Sequence, residues 1–148
     1  MNSYLPDGYK PIAELPGDYE PTESEEFMND LQREFFRRML LEWKGNILKE
    51  SSNTLENLKQ HSSSEPDLAD RASAETDRAI ELRARDRHRK LLNKINAALS
   101  RIESGSYGFC EETGDPISLK RLAARPIATL SIDAQERHEH REKIFREE

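Results

Sequence analysis

The sequence predicts a mainly α-helical protein: a long antiparallel coiled-coil hairpin projecting from a small globular end that finishes in a C-terminal helix. Three observations carry that reading. Apolar residues recur at three- and four-residue steps through two long stretches, the pattern of a helix with one buried face. A polar, Pro-containing break, "HSSSEPDLAD" (61–70), separates the two stretches. After the second stretch the periodicity stops, and Gly, Pro and small polar residues punctuate a short segment.

Composition bounds the classes. At 148 residues the chain is one domain, or one domain with a projecting element. Hydrophobic residues make up 34% and charged residues 35%, too polar for a compact α/β enzyme core and too regularly patterned for disorder. A single cysteine excludes an intramolecular disulfide and reads as a cytoplasmic chain. No apolar run approaches the roughly 18 residues of a membrane span, so no membrane partner is expected. The start "MNSYLPDGYK" is no signal peptide. A net charge of −6 argues against binding DNA through its phosphates, and no direct sequence-specific DNA contact is expected.

Residues 1–23 carry prolines at 6, 11, 16 and 21 with Gly8 and Gly17 between them. Proline lacks a backbone donor and fixes φ, so this is an extended arm, either pinned to a surface through Tyr4, Tyr9 and Tyr19 or a mostly mobile tail. Residues 24–104 form the hairpin. Thr22 and Glu25 have capping-box spacing, which places the start of the first helix there. Phe27, Leu31, Phe35, Met39, Trp43 and Ile47 follow in four-residue steps, and the seam then thins to Leu48, Leu55 and Leu58. Pro66 breaks this helix and suits the first turn of the next, so the tip spans about 61–72. Leu68, Ala72, Ala79, Leu82, Leu91, Leu92, Ile95, Ala98, Leu99 and Ile102 mark the second helix, which Gly105 ends. Each helix, of about 37 residues, spans roughly 55 Å at a rise of 1.5 Å per residue. The thin seam leaves the tip little core of its own. A short charged helix over 135–148, its pattern opening at Ile132, completes the chain, and no internal repeat is read.

Residues 105–134 have the frame of a zinc ribbon. Cys110 and Thr113 stand at C-x-x-C spacing, and Ser131 and Ala134 repeat it. Zinc needs four ligands, best supplied by thiolate or imidazole. Only Cys110 is such a group; Thr113 and Ser131 are poor ligands, Ala134 is none, and His138 and His140 are not one turn apart. The segment therefore reads as a degenerate, zinc-ribbon-like fold in which no zinc is expected. Phe109, Ile117, Leu119, Leu122, Ile127 and Leu130 would pack on the hairpin base instead, with Thr113 and Ser131 capping turns and Cys110 as a small buried apolar group.

Two charged groupings remain. Asp67 and Asp70 open the second helix, where carboxylates favour the helix dipole; on a stalk they also form an acidic tip. Arg78, Arg83, Arg85, Arg87, Arg89, Lys90, Lys94 and Arg101 face only Glu81 and Asp86 over the same span. That stripe is either the solvated face of a coiled coil or a site for an anionic partner, to which Arg125 in "LAARP" adds. No nucleophile–base pair, phosphate loop or HExxH helix is present, so no enzyme is predicted.

The order of arm, helix, "PDLADRA", "RARDRHRKLLNKINAAL", "GFCEETG", "RLAARP" and "SIDA" resembles the DksA/TraR family, over nearly the whole chain and most strongly over residues 65–134. The resemblance implies a cytoplasmic, non-enzymatic regulator of transcription initiation that binds RNA polymerase, while the tip half, too poor in apolar residues for a long dimer seam, points to a monomer. Its coiled-coil tip enters the secondary channel, and the effector ppGpp binds between factor and polymerase in the stringent response. Ribosomal RNA promoters are inhibited and some biosynthetic promoters activated. By the same resemblance Asp67, Asp70 and Ala72 match the tip, Arg87 a contact on the channel rim, and Leu91, Lys94 and Arg125 the ppGpp site. A basic residue of that site is Gln135 here, and an Asn of the rim segment is Ala84. The lost cysteines match the zinc-independent, cysteine-poor variants of the family. Three rivals stay open: a polymerase factor with a weak ppGpp response, a Gre-like transcript-cleavage factor whose tip carboxylates hold Mg²⁺, and a plain dimerising coiled coil.

Overall fold

The computed structural model describes residues 5–61 and 68–147. Among them are four helices: α1 (Asp30–His61), α2 (Leu68–Ser104), α3 (Leu119–Ala124) and α4 (Ile132–Glu147). The mainly helical class expected from periodicity is the one observed. The extended pairing in the described residues is a bridge between Phe109 and Pro116.

α1 and α2 form an antiparallel hairpin. Near its base Arg33 Nη2 donates to the Ile102 carbonyl at 2.6 Å, and farther along Ser51 Oγ lies 3.2 Å from His88 Nδ1, so numbers rise along one helix as they fall along the other. The buried seam holds Phe36, Leu40 and Ile47 from α1 against Ile95, Ala98 and Ile102 from α2. Truncating a residue such as Leu40, fully enclosed here, costs about 2–5 kcal/mol. Beyond Ile47 the seam turns polar, as the thinning pattern implies: Glu50 sits 3.3 Å from His88 Nε2, while Leu48, Leu55, Ile80 and Leu82 are exposed. The tip residues 62–67, including Pro66 and Asp67, lie outside the described residues.

α1 does not start at the Thr22 box. Thr22 and Glu25 do bond, with the Thr22 amide 3.0 Å and its hydroxyl 2.9 Å from Glu25 Oε1, but they close a turn, not a helix. Met28 then adopts φ 53°, a left-handed conformation that no helix continues through. The operative box is Asn29–Gln32: Asn29 Oδ1 accepts from the Gln32 amide at 2.9 Å, and Gln32 Oε1 reaches back to the Met28 amide at 2.8 Å. Gln32 is fully buried, and its Nε2 donates to the Thr22 carbonyl, tying the turn to the helix start. The left-handed kink lays Phe27 and Met28 over Gly108, whose φ is 89° and where a Cβ would meet Met28 at 3.1 Å and Phe27 at 3.2 Å. Glycine at 108 is thus required both by conformation and by close approach.

The arm is docked. Tyr9 donates to both oxygens of Glu34 (2.7 and 2.8 Å), and Tyr19 to Glu25 at 2.7 Å. Each tyrosine closes a turn back to a proline, Tyr9 N to Pro6 O and Tyr19 N to Pro16 O, both at 3.1 Å. The two turns are a repeat. Leu5-Pro6-Asp7-Gly8-Tyr9-Lys10-Pro11 recurs as Leu15-Pro16-Gly17-Asp18-Tyr19-Glu20-Pro21, which corrects the expectation of no internal repeat.

α2 ends as its Gly105 predicts. Gly105 takes φ 84°, and the amides of Ser106 and Tyr107 both return to the Arg101 carbonyl, at 3.0 and 3.2 Å. Tyr107 is buried against Phe36, and its hydroxyl donates to Pro126 O at 2.7 Å, joining the hairpin base to the globular end.

Candidate functional site

At the base of the hairpin α2, α3 and α4 enclose an open cavity of about 470 Å³. Its wall includes Lys94 and Arg101 from α2, Arg121 and Arg125 from α3 and its end, Thr129, and Gln135 and Glu139 from α4. α3 exists because Ser118 Oγ caps it, accepting from the Arg121 amide at 3.2 Å, and because Leu122 is buried beneath it. This short helix, which periodicity did not reveal, sets Arg121 and Arg125 one turn apart on one side. Arg121 is further fixed by its Nε bond to the Leu130 carbonyl at 2.9 Å.

The structure thus brings together Lys94 and Arg125, which the sequence singles out, and adds Arg121, Thr129 and Glu139, which it does not. Only the spacing of Arg121 and Arg125 hints at a shared face. Leu91 is not in the cavity wall; it lies one turn toward the tip from Lys94, partly buried against the core. Arg87, one turn farther out, is exposed, and Arg87, Leu91 and Lys94 follow the three- and four-residue steps of one α2 face. Ala84 is half-buried on the same helix. Gln135 does line the cavity, and its Nε2 donates to Glu139 Oε1 at 3.0 Å, so this wall carries an amide tied to a carboxylate. At the other end of α2, Asp70 and Ala72 are exposed, Asp70 within the first turn.

The ribbon segment is built around a short knuckle. Cys110 N donates to Asp115 O at 2.8 Å, Gly114 N returns to Cys110 O at 2.9 Å, and Ile117 N donates to Gly108 O at 2.7 Å. Thr113 Oγ1 accepts from the Asp115 amide at 3.2 Å, and Ser131 Oγ caps α4 by accepting from Ala134 N at 3.3 Å. Ala134 is fully buried and Cys110 is 3% exposed. Burial opposes ionisation of the Cys110 thiol more than any other single influence. Hydrogen bonds from the Thr113 side chain and from the backbone of Ser131, Thr113 and Glu112 together outweigh it and bring the thiol down to about 6. The knuckle therefore favours a negative sulfur. Outside it, Glu112 faces α4 through His138 at 3.7 Å and Arg141 at 3.8 Å.

Two family models match the chain in succession: the N-terminal domain of the DnaK suppressor protein DksA over residues 32–102, and the prokaryotic dksA/traR C4-type zinc finger over residues 105–140. The chain belongs to the DksA/TraR family. It is 60% identical over 131 residues to the RNA polymerase-binding transcription factor DksA of Caulobacter vibrioides, covering 88% of this chain and 92% of that protein. To the factor of the same name from Escherichia coli it is 40% identical over 136 residues, covering 92% and 85%. The structure of transcription factor DksA2 from Pseudomonas aeruginosa superposes with a TM-score of 0.75 at 41% identity, over 79% of this chain and 90% of that one. These relatives are transcription factors by name, and none is named as an enzyme. No helix among the described residues is long and apolar enough to cross a membrane.

The match corrects one expectation. The missing cysteines led to the view that zinc has no place in this segment, yet residues 105–140 fall within a family defined as a C4-type zinc finger, which points to zinc binding. The donors at the four frame positions of this DksA/TraR chain do not fit such a centre. Cys110 supplies sulfur, Thr113 and Ser131 spend their hydroxyls on backbone amides, and Ala134 has nothing to offer. Among the described residues no group of three or more His, Cys, Asp or Glu is arranged to hold a metal ion. Buried Cys110 and Ala134 and the two hydroxyl–amide bonds hold the knuckle at these positions.

Proposed function

We propose that this chain binds RNA polymerase and regulates transcription initiation in the cytoplasm, as a monomer and without catalysis. The hairpin delivers its tip, Asp67, Asp70 and Ala72, through the secondary channel toward the polymerase active site. Arg87 meets the channel rim. ppGpp binds between polymerase and the α2 base, against Leu91, Lys94 and Arg125, and strengthens inhibition of ribosomal RNA promoters and activation of some biosynthetic ones.

The observation that carries the reading is the basic cavity at the foot of a long stalk. Four cations share its wall with one carboxylate in a chain of net charge −6. Guanidinium and ammonium groups converging on one open volume suit a polyphosphate. The stalk supports the other half: α2, at 37 residues, is roughly 55 Å long with its far end in the base, so an exposed carboxylate in its first turn is presented far from the fold that holds it. The names of the relatives supply the partner, RNA polymerase.

The test is capture of polymerase by the full-length protein, followed by transcription from a ribosomal promoter with and without ppGpp. Binding and inhibition that deepens with ppGpp are expected. Acceleration of transcript cleavage in a stalled elongation complex would transfer the chain to the Gre-like class.

A further inference from the structure

We infer that Arg101, on α2 two turns below Lys94, is a ligand-contacting residue of the basic cavity and a determinant of its affinity for a polyphosphate. The inference rests on reading this cavity as the ppGpp site, and it extends that site toward the globular end.

Three observations lead there. Arg101 lines the cavity with Lys94, Arg121 and Arg125. It follows Lys94 by seven residues, so the two project from the same face of one helix. Most tellingly, Arg101 Nη2 is enclosed yet has no hydrogen-bond partner. A buried guanidinium N–H without an acceptor is a rare and costly arrangement. The neighbouring cation is committed otherwise: Arg121 Nε is bound to the Leu130 carbonyl. The acid in the cavity wall, Glu139, takes a hydrogen bond from Gln135. Arg101 thus holds a planar, permanently charged fork at the cavity wall with a donor unspent. A small rotation of that fork exchanges the stranded N–H for a phosphate oxygen, and the fork geometry suits two oxygens of one phosphate. Tyr107, packed beneath, supports the base of α2 through its bond to Pro126, so the side chain swings on a fixed platform.

The cavity then spaces its cations along α2, Lys94 toward the tip and Arg101 toward the globular end, with Arg125 added from the end of α3. Position 135, an amide engaged by Glu139, adds no charge to them. The site takes an anion bearing phosphates at two points better than one bearing a single phosphate group.

The experiment titrates ppGpp into the assembled complex of the full chain with RNA polymerase and reads the concentration giving half-maximal inhibition of a ribosomal promoter. Arg101→Gln is expected to raise that concentration about tenfold or more, the loss of a charged hydrogen bond. Arg101→Lys, which keeps the charge but not the fork, is expected to fall between. Lys94→Ala and Arg125→Ala run alongside. If both of these shift the titration and neither Arg101 variant does, the inference about Arg101 is wrong and the site reading stands. If none of the four shifts it, the site reading is wrong and Arg101 falls with it. Helicity and unfolding temperature are measured for every variant. Should Arg101→Gln prove unfolded, Arg101→Lys decides, and an unshifted titration with that variant overturns the inference.

Discussion

Glu34 is a fully buried carboxylate, tolerated because donors enclose it: the Tyr9 hydroxyl, the Ile12 amide at 3.2 Å and Arg38 Nε at 2.9 Å. Burial first, and then the bond to Glu34, push the Tyr9 hydroxyl up to about 12, so it stays a donor across the physiological range. Arg37 stacks on the same ring, 4.7 Å from its centroid. Tyr9→Phe keeps the ring and removes the donor, and is expected to cost about 1.5–3 kcal/mol in urea unfolding, the range for a hydrogen bond to a charged group. Tyr19→Phe is expected to cost less, because Glu25 is only half-buried and keeps its Thr22 and Asn29 donors. Cys110 makes the second prediction at this scale. Its thiol lies at about 6 in the folded chain against an ordinary 9.0, so folding favours the thiolate. That contribution is complete above the unfolded value and is lost as pH falls through about 6. The gap in unfolding temperature between the wild type and Cys110→Ala should therefore widen as pH rises from 6 to 9, followed by circular dichroism. A gap independent of pH would show a thiol that stays protonated.

The elements differ in how far the residues announce them. Phe36, Leu40 and Ile47 on one helix and Ile95, Ala98 and Ile102 on the other repeat at helical steps because one face is buried, and that constraint is local enough to read directly. The end of α2 is equally local, since Gly105 alone supplies the left-handed turn. The start of α1 is not. Thr22-x-x-Glu25 and Asn29-x-x-Gln32 both have box spacing, and the choice is made by Met28, whose left-handed backbone is held where its side chain lodges on Gly108, some eighty residues away in sequence. Asn29→Ala should accordingly lower stability by about 0.5–2 kcal/mol as a lost cap, measured in urea. Thr22→Ala should cost less, because it removes a turn contact at an exposed position and no helix cap. The candidate site is legible in part for the same reason. Lys94 and Arg125 stand out one by one, but their meeting with Arg121 and Glu139 depends on α3 and α4 folding back on the α2 base. Nor does local pattern reveal that Arg101 is left with an unpaired donor.

At the scale of the whole molecule, the proposed function puts binding and action at opposite ends of α2. The cavity, the buried seam and the docked arm gather at the base, while Asp70 stands in the first turn of α2, roughly 35–45 Å from the cavity's Lys94 and Arg101 at 1.5 Å per residue. Stability follows buried apolar area, which is concentrated at the base. The helix dipole stabilises an exposed carboxylate at the far end by about 0.3–1 kcal/mol. Asp70→Asn retains size and shape, removes the charge and turns one acceptor oxygen into a donor amide. Its unfolding curve should lie close to the wild type, and capture of polymerase, which the proposed function assigns to the base and to the face around Arg87, should be nearly unchanged. Inhibition of a ribosomal promoter should nonetheless be abolished, because under the proposed function the charge removed is the one delivered toward the active site. Each measurement separates a different error. An unfolded Asp70→Asn protein would mean that the carboxylate serves the fold, an active one that the tip charge is idle, and one that no longer captures polymerase that the stalk binds along its length instead of being held at its foot.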